Sequence, residues 1–206
     1  MPRVLRIINR FNLGGPTHNA AYLTKYLPND FETLLVGGQQ ESSEEGSQHI
    51  LEALGVEPMI LPEMQREVAP WRDRTAYRRI KKLIKEFKPD IVHTHAAKAG
   101  AVGRLAASEM GVKAIVHTFH GHVFHSYFGQ LRTAVYKNVE RFLAKRSNRI
   151  IAISDIQKSE LVDEHRICPE EKVSVVPLGF DLGKFQQDQT AYARGGSRAS
   201  SRNRRG

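Results

Sequence analysis

The sequence predicts an α/β domain of the Rossmann-like, doubly wound kind, with a mainly parallel sheet. Three observations carry this expectation. Seven short apolar, β-branched runs recur along the chain, and most are separated by longer segments with helical spacing. Strands that alternate with helices pair in parallel and are covered on both faces. At 206 residues with 40 % hydrophobic content, the chain also has enough apolar material for one sizeable core.

The first strand is "VLRII" from Val4, which runs into "NLGGPTHNA", where Pro16 suits the first turn of a helix. "TLLVGG" from Thr33 and "PMILP" from Pro58 follow. From Arg74 to Phe87, Ala76, Tyr77, Ile80, Leu83, Ile84 and Phe87 repeat at three and four, the spacing of a helix with one apolar stripe turned inward. Its other side leaves Arg78, Arg79, Lys81, Lys82 and Lys85 to solvent, and Lys88-Pro89 ends it. The strands "DIVHTH" from Asp90, "AIVHTFH" from Ala114, "RIIAIS" from Arg149 and "VSVVPLG" from Val173 complete the series. Ser154 with Gln157 three residues later reads as a capping box that opens a helix straight after "RIIAIS". There is no internal sequence repeat beyond this alternation.

Charge and cysteine usage narrow the setting. The net charge is +9, but from Gln186 onward five arginines face only Asp188, so the globular part is moderately basic. Gln65 to Lys88 holds nine Lys/Arg against three acids, which concentrates that excess in one segment. Cys168 stands alone, so no intramolecular disulfide forms, and no basic-then-apolar leader opens the chain. A reducing, cytoplasmic setting is therefore expected. Apolar runs are strand-sized, well short of the ~20 residues that cross a bilayer.

Open parallel sheets bind ligands beyond the carboxyl ends of their strands, where helix N-termini offer free N–H groups. Three such ends stand out. Gly14 and Gly15 let backbone approach a ligand, a phosphate for example, although a tight turn needing positive φ explains a Gly pair equally well. The G-x-G-x-x-G spacing of dinucleotide binding is absent. His93 and His95 share one face of the next strand, with Lys98 and Gly100 at the opening of the helix that follows. "IVHTFHGHVFH" packs four of the nine histidines into Ile115 to His125, and Gly121 is expected to break the strand and bring His120 and His122 to the rim. For any one of these histidines a satisfied structural role is the simpler reading. Their clustering at two strand ends favours a polar cleft. The H-x-H and H-x-x-H-x-H spacings keep a metal-dependent hydrolase open as an alternative, but no pattern of acidic ligands accompanies them.

"KPDIVHTHAAKAGAVGRLAA", "VHTFHGHVFHSYF", "IIAIS" and "VVPLGFDLGKF" together resemble the N-terminal domain of family 4 glycosyltransferases, the retaining GT-B enzymes that build capsular, exo- and lipopolysaccharides. The likeness runs from about Pro2 to Phe185. It implies an acceptor-side Rossmann-like domain facing a second domain that holds most of a nucleotide-sugar donor. The acceptor it implies is a glycan or a polyprenyl-diphosphate-linked one, and no metal cofactor is required. Residue by residue, the resemblance gives Gly14 and Gly15 to the donor diphosphate and His120 to the reaction centre. It gives His95, Lys98, Gly121 and His122 to the cleft lining, with a weaker claim for His125.

One departure from that pattern matters. After "VVPLGFDLGKF" the chain runs into "QQDQTAYARGGSRASSRNRRG". The expected organisation is a domain over 1–185 and a disordered Arg/Ser/Gly tail over 186–206, with the donor-binding domain absent and the chain inactive alone. A nucleic-acid-binding role for the tail is disfavoured against plain disorder. A non-catalytic, acceptor-binding half of a split transferase is the alternative. The basic segment around Arg74–Phe87 is either a solvated face or a peripheral contact with the anionic inner membrane leaflet.

Overall fold

Seven parallel strands in the order β3-β2-β1-β4-β5-β6-β7 build the sheet of the computed structural model, which describes residues 1–65, 67–121 and 130–179, the side chains of 130–132 excepted. The strands are β1 (Arg3–Arg10), β2 (Glu32–Gly38), β3 (Met59–Ile60), β4 (Ile91–His95), β5 (Ala114–Thr118), β6 (Arg149–Ala152) and β7 (Val173–Val175). Between them lie α1 (Gly15–Lys25), α2 (Gln48–Leu54), α3 (Pro70–Phe87), α4 (Ala97–Glu109), α5 (Gln130–Arg146) and α6 (Asp155–Ser159). All seven expected runs are strands, and the doubly wound class holds. β3 is two residues long, since Pro58 and Pro62 on either side have no N–H for a ladder.

Side-chain alternation divides the core between the two faces. Leu5, Ile7, Val36, Val92 and Ile115 meet the inner sides of α3 and α4, whereas Ile8, Phe11 and Leu35 meet α1 and α2. The stripe expected on α3 is confirmed, with Ala76, Ile80, Leu83 and Ile84 buried and Tyr77 and Phe87 partly so. The helix starts four residues before the expected Arg74. Pro70 fits its first turn, where no N–H is needed, and the Asp73 carboxylate accepts the Ala69 N–H at 3.0 Å. Apolar periodicity is silent over such a polar first turn. Arg78, Arg79, Lys82 and Lys85 are exposed as expected, while Lys81 is half-covered by its ion pair with Glu109.

α4 packs between α3 and α5 and approaches the sheet closely. A Cβ at Gly103 would lie 2.6 Å from Thr94 Cγ2 and 3.0 Å from Ile7 Cδ1, and one at Gly100 would lie 2.5 Å from His117 Cε1. Glycine at these two positions sets the helix-to-sheet distance. Arg104, wholly buried, donates to the Gly100 carbonyl at 2.9 Å and to Glu140 of α5 at 2.7 Å, pinning the two helices together.

The cap of α6 differs from the expected box by one residue. Ser154 Oγ accepts from Gln157 N at 3.2 Å, but Gln157 Oε1 accepts from Ile153 N at 2.9 Å rather than from Ser154. Its Nε2 then donates across the edge of the sheet to the Gly121 carbonyl at 3.1 Å. The cap therefore also anchors the chain leaving β5.

Candidate functional site

Because the strands are parallel, the segments leaving β1, β4 and β5 emerge at one edge, as the sequence predicts. β1 pairs with β4 and β4 with β5, in the register Ile7↔Thr94 and His95↔Thr118. Three expected positions are brought to this edge: the Gly14–Gly15 turn, His95 and His120.

Gly14 has φ 167, extended backbone open to any residue, and Gly15 already belongs to α1. The turn explanation, which requires positive φ, is thereby corrected. Nor does packing demand glycine: a Cβ at Gly15 would meet nothing within 4 Å, and one at Gly14 nothing nearer than 3.8 Å. The first turn of α1 has no side-chain cap, and Pro16 contributes no N–H. The open space lies over a helix end whose dipole and first amides favour an anion.

The histidines separate into two kinds. His93 is structural. Arg6, 2 % exposed in the middle of β1, donates to His93 Nδ1 at 2.7 Å, to Thr24 Oγ1 at 3.1 Å and to the Leu23 carbonyl at 3.0 Å. A guanidinium only donates, so the His93 proton sits on Nε2 and goes to Thr118 Oγ1 at 2.8 Å. Burial lowers the Arg6 pKa to about 10, which still leaves it charged. His117 points to the opposite face, beneath Gly100, with Nδ1 2.8 Å from Thr94 Oγ1 and its ring edge-on to Phe119.

His95 and His120 contact each other. His95 Nδ1 lies 2.9 Å from His120 Nε2, the rings stack at 5.2 Å, and the outer atoms His95 Nε2 and His120 Nδ1 have no hydrogen-bond partner. Whichever ring donates within the pair, the two outer nitrogens comprise one N–H and one lone pair. Both atoms are buried, so one donor and one acceptor stay unsatisfied inside this edge in either tautomer. The turn beside the pair is strained: Ala96, between the end of β4 and the start of α4, has φ 64 and ψ 162, a conformation usually reserved for glycine.

Burial holds the edge neutral. It lowers the His120 pKa to about 4, and it pushes His93, His95 and His117 well below the ordinary value, helped by the Arg6 charge at His93 and His95 and the Arg104 charge at His117. The unfolded chain takes up these protons near pH 6.5, the folded chain only at lower pH, so acid favours unfolding. Their contribution is complete above about pH 6.5 and is lost progressively as pH falls, for His120 down to about 4. The melting temperature is expected to drop between pH 7.5 and pH 5, before most carboxylates titrate. An unchanged melting temperature over that range would contradict the burial of these rings.

Lys98 opens α4 as expected, but its ammonium is held by Asp73 at 2.6 Å and by the Glu67 carbonyl, bracing the starts of α3 and α4. Gly121 lies at the edge, its carbonyl held by Gln157. His122 and His125 fall outside the described residues. Sequence reasoning missed Arg6, Ala96 and the second role of Gln157. Only Arg6 left a signal, a cation inside an otherwise apolar strand. Among the described residues no three His, Cys, Asp or Glu side chains group as a metal-ligand set, and no helix is long and apolar enough to cross a membrane.

The sequence profile of Glycosyltransferase Family 4 matches residues 13–184. The chain belongs to glycosyltransferase family 4. Among similar sequences is the UDP-Gal:alpha-D-GlcNAc-diphosphoundecaprenol alpha-1,3-galactosyltransferase of Escherichia coli, 38 % identical over 130 residues, or 63 % of this chain and 33 % of the relative. A D-inositol 3-phosphate glycosyltransferase of Segniliparus rotundus is 29 % identical over 52 % of this chain and 25 % of its own length. This family 4 chain thus spans about a third or less of these curated relatives. Among solved structures, a glycosyltransferase from Rickettsia africae superposes with a TM-score of 0.61 at 15 % identity, over 93 % of this chain and 49 % of that one. The UDP-GlcNAc 2-epimerase of Neisseria meningitidis, bound to UDP-GlcNAc, gives 0.62 at 17 % identity, over 84 % of this chain and 45 % of that one. These structural likenesses establish the fold, a Rossmann-like domain covering about half of each neighbour.

Proposed function

We propose that this domain is the acceptor-side half of a retaining glycosyltransferase that moves a sugar from a nucleotide-sugar to a lipid-linked glycan. The observation that carries the reading is the His95–His120 pair, whose two remaining ring nitrogens are buried without a partner, on the same sheet edge as the open N-terminus of α1. The family match and the similarity to an enzyme named for a diphosphoundecaprenol-linked acceptor support it.

As the nucleoside diphosphate departs, negative charge grows on its β-phosphate, and amides already aimed at that point lower the barrier. The Gly14–Gly15 turn is suited to this task because no side chain stands between those amides and a phosphate. In this reading His120, neutral at physiological pH, orients a hydroxyl, and His95, wholly buried behind it, holds the His120 ring in place. The leaving phosphate accepts the acceptor's proton, no metal is required, and His120 is not a nucleophile. A donor-binding domain, on this chain or another, forms the facing wall that brings the reactants together and excludes water. The enzyme works in the cytoplasm and touches the inner leaflet peripherally, with the exposed cations of α3 drawn to anionic lipid.

The test is transfer. Complete enzyme, supplied with UDP-, GDP- and ADP-sugars and a polyprenyl-diphosphate-linked glycan, is expected to extend the lipid by one sugar with the donor's anomeric configuration kept. Residues 1–206 alone are expected to transfer nothing measurable. Inverted product, or no transfer from any donor by complete enzyme, would overturn the reading.

A further inference from the structure

A pocket of about 530 Å³ opens between α2 and the β3 edge of the sheet, apart from the histidine pair. Phe11, Leu51 and Val56, all buried, form its apolar floor, and Ile60 of the edge strand one wall. Its polar lining is the carboxamides of Gln39, Gln40 and Gln48 and the carboxylates of Glu52 and Glu57. Among the described residues, no Lys, Arg or His lines it. Gln48 Nε2 donates to Glu52 Oε1 at 2.8 Å across one turn of α2, setting two exposed heads side by side at the mouth. The Gln48 amide oxygen, its second N–H and the other Glu52 oxygen have no further partner among the described residues. Gly46 makes room for Gln40, since a Cβ there would lie 2.9 Å from Gln40 Nε2. The segment carrying Gln39 and Gln40 is tied to the β1–α1 turn. Asn12 and Gly46 form an antiparallel bridge, Leu13 N donates to the Glu45 carbonyl at 2.7 Å, and Arg10 pairs with Glu44 through two bonds. The pocket thus flanks the open end of α1 on the β2 side, and His95 flanks it on the β4 side, two strand spacings or about 10 Å across.

We propose that this pocket holds a neutral sugar ring of the acceptor glycan. Hydroxyls both donate and accept, so carboxamides and carboxylates together match them, while the C–H face of a pyranose fits the apolar floor. The volume lies within the range of small-ligand pockets. A phosphate, a nucleotide or an acidic sugar would meet two carboxylates and no cation, and is repelled. The edge is therefore divided by charge: the start of α1 favours an anion, and the pocket beside it favours the uncharged, hydroxyl-rich part of a substrate. Recognition of a neutral sugar follows from the lining alone. Its role in choosing the acceptor rests on the proposed transfer.

Proton–nitrogen NMR spectra of the chain are followed as the methyl glycosides of glucose, galactose and N-acetylglucosamine are titrated in, with glucuronic acid and glucose 6-phosphate as anionic counterparts. The side-chain amides of Gln39, Gln40 and Gln48 are expected to shift saturably with at least one neutral glycoside. The anionic sugars are expected to bind at least about tenfold more weakly. Gln48→Ala with Glu52→Ala is expected to raise the Kd about tenfold, with an unchanged melting temperature showing that the fold survives. Glu52→Gln, which keeps an acceptor, is expected to retain most of the binding. A loss as large as that from alanine would mark a cationic ligand and overturn the assignment. Amides unmoved by every neutral glycoside, or equal affinity for the anionic sugars, would overturn it too. In complete enzyme the alanine pair is expected to raise the acceptor KM about tenfold and to leave kcat and the donor KM unchanged. An unchanged acceptor KM would remove the pocket from acceptor choice. Sugar binding by the chain with no transfer by complete enzyme would sink the transferase reading instead, and the acceptor role with it, while the pocket's neutral-sugar chemistry would stand.

Discussion

Truncation of Glu140 to alanine is expected to cost the folded domain about 3–5 kcal/mol. Arg104 and Glu140 are 0 % and 4 % exposed, and their 2.7 Å contact joins α4 to α5 in the layer over the sheet. Desolvating both charges is expensive, so the intact pair adds little over an apolar substitute. Removing one partner leaves a buried guanidinium with only the Gly100 carbonyl for company. Burial already lowers the Arg104 pKa while the Glu140 charge raises it, the two opposing influences that the substitution would unbalance. Urea unfolding measures the loss. The double replacement Arg104→Met with Glu140→Leu is expected to recover most of it, since it removes the charges together. A loss under about 1 kcal/mol for Glu140→Ala would mean that water reaches the guanidinium.

The second large effect concerns turnover. In complete enzyme, His120→Ala is expected to lower kcat about a hundredfold, the scale of losing one preorganised polar group at a reaction centre. Stability at neutral pH should change little, because His120 is only partly enclosed and its main partner is another histidine. His93→Ala is expected to do the reverse. It frees the buried Arg6 from its 2.7 Å contact and should cost stability first. Measuring kcat and urea midpoint for both variants separates the roles. Wild-type turnover in His120→Ala would remove this residue from the chemistry. With a pKa of about 4, His120 should also add no inflection near pH 6.5 to the kcat profile.

How much of this was legible in the sequence depends on which physical signal each feature left. β-branched runs alternating with helical spacing identified every strand, because burial on both faces forces a continuous apolar run. The stripe of α3 was equally plain. The histidines were visible as a cluster but not as two kinds. Whether a strand residue faces the α1 side or the α4 side depends on register, which divided His93 and His95 from His117. The lock that makes His93 structural comes from Arg6, 87 residues away, in a strand read as simply apolar. α5 shows the same limit: the exposed Val135, Val139 and Phe142 share one helix with the buried Leu143 and Ala144, and apolar periodicity does not say which side the sheet takes.

The passage from β4 to α4 is a single residue, Ala96, and those from β6 to α6 (153–154) and β1 to α1 (11–14) are also short, whereas 39–47 and 61–69 separate strand from helix at β2 and β3. Chain can be inserted or exchanged in those longer segments without disturbing the sheet. At Ala96 there is no slack to lengthen. The edge therefore has a centre fixed by geometry, carrying the paired imidazoles, and a periphery free to vary. Relatives that keep one reaction while taking different sugars and acceptors would diverge around the centre and leave Ala96 and its neighbours in place.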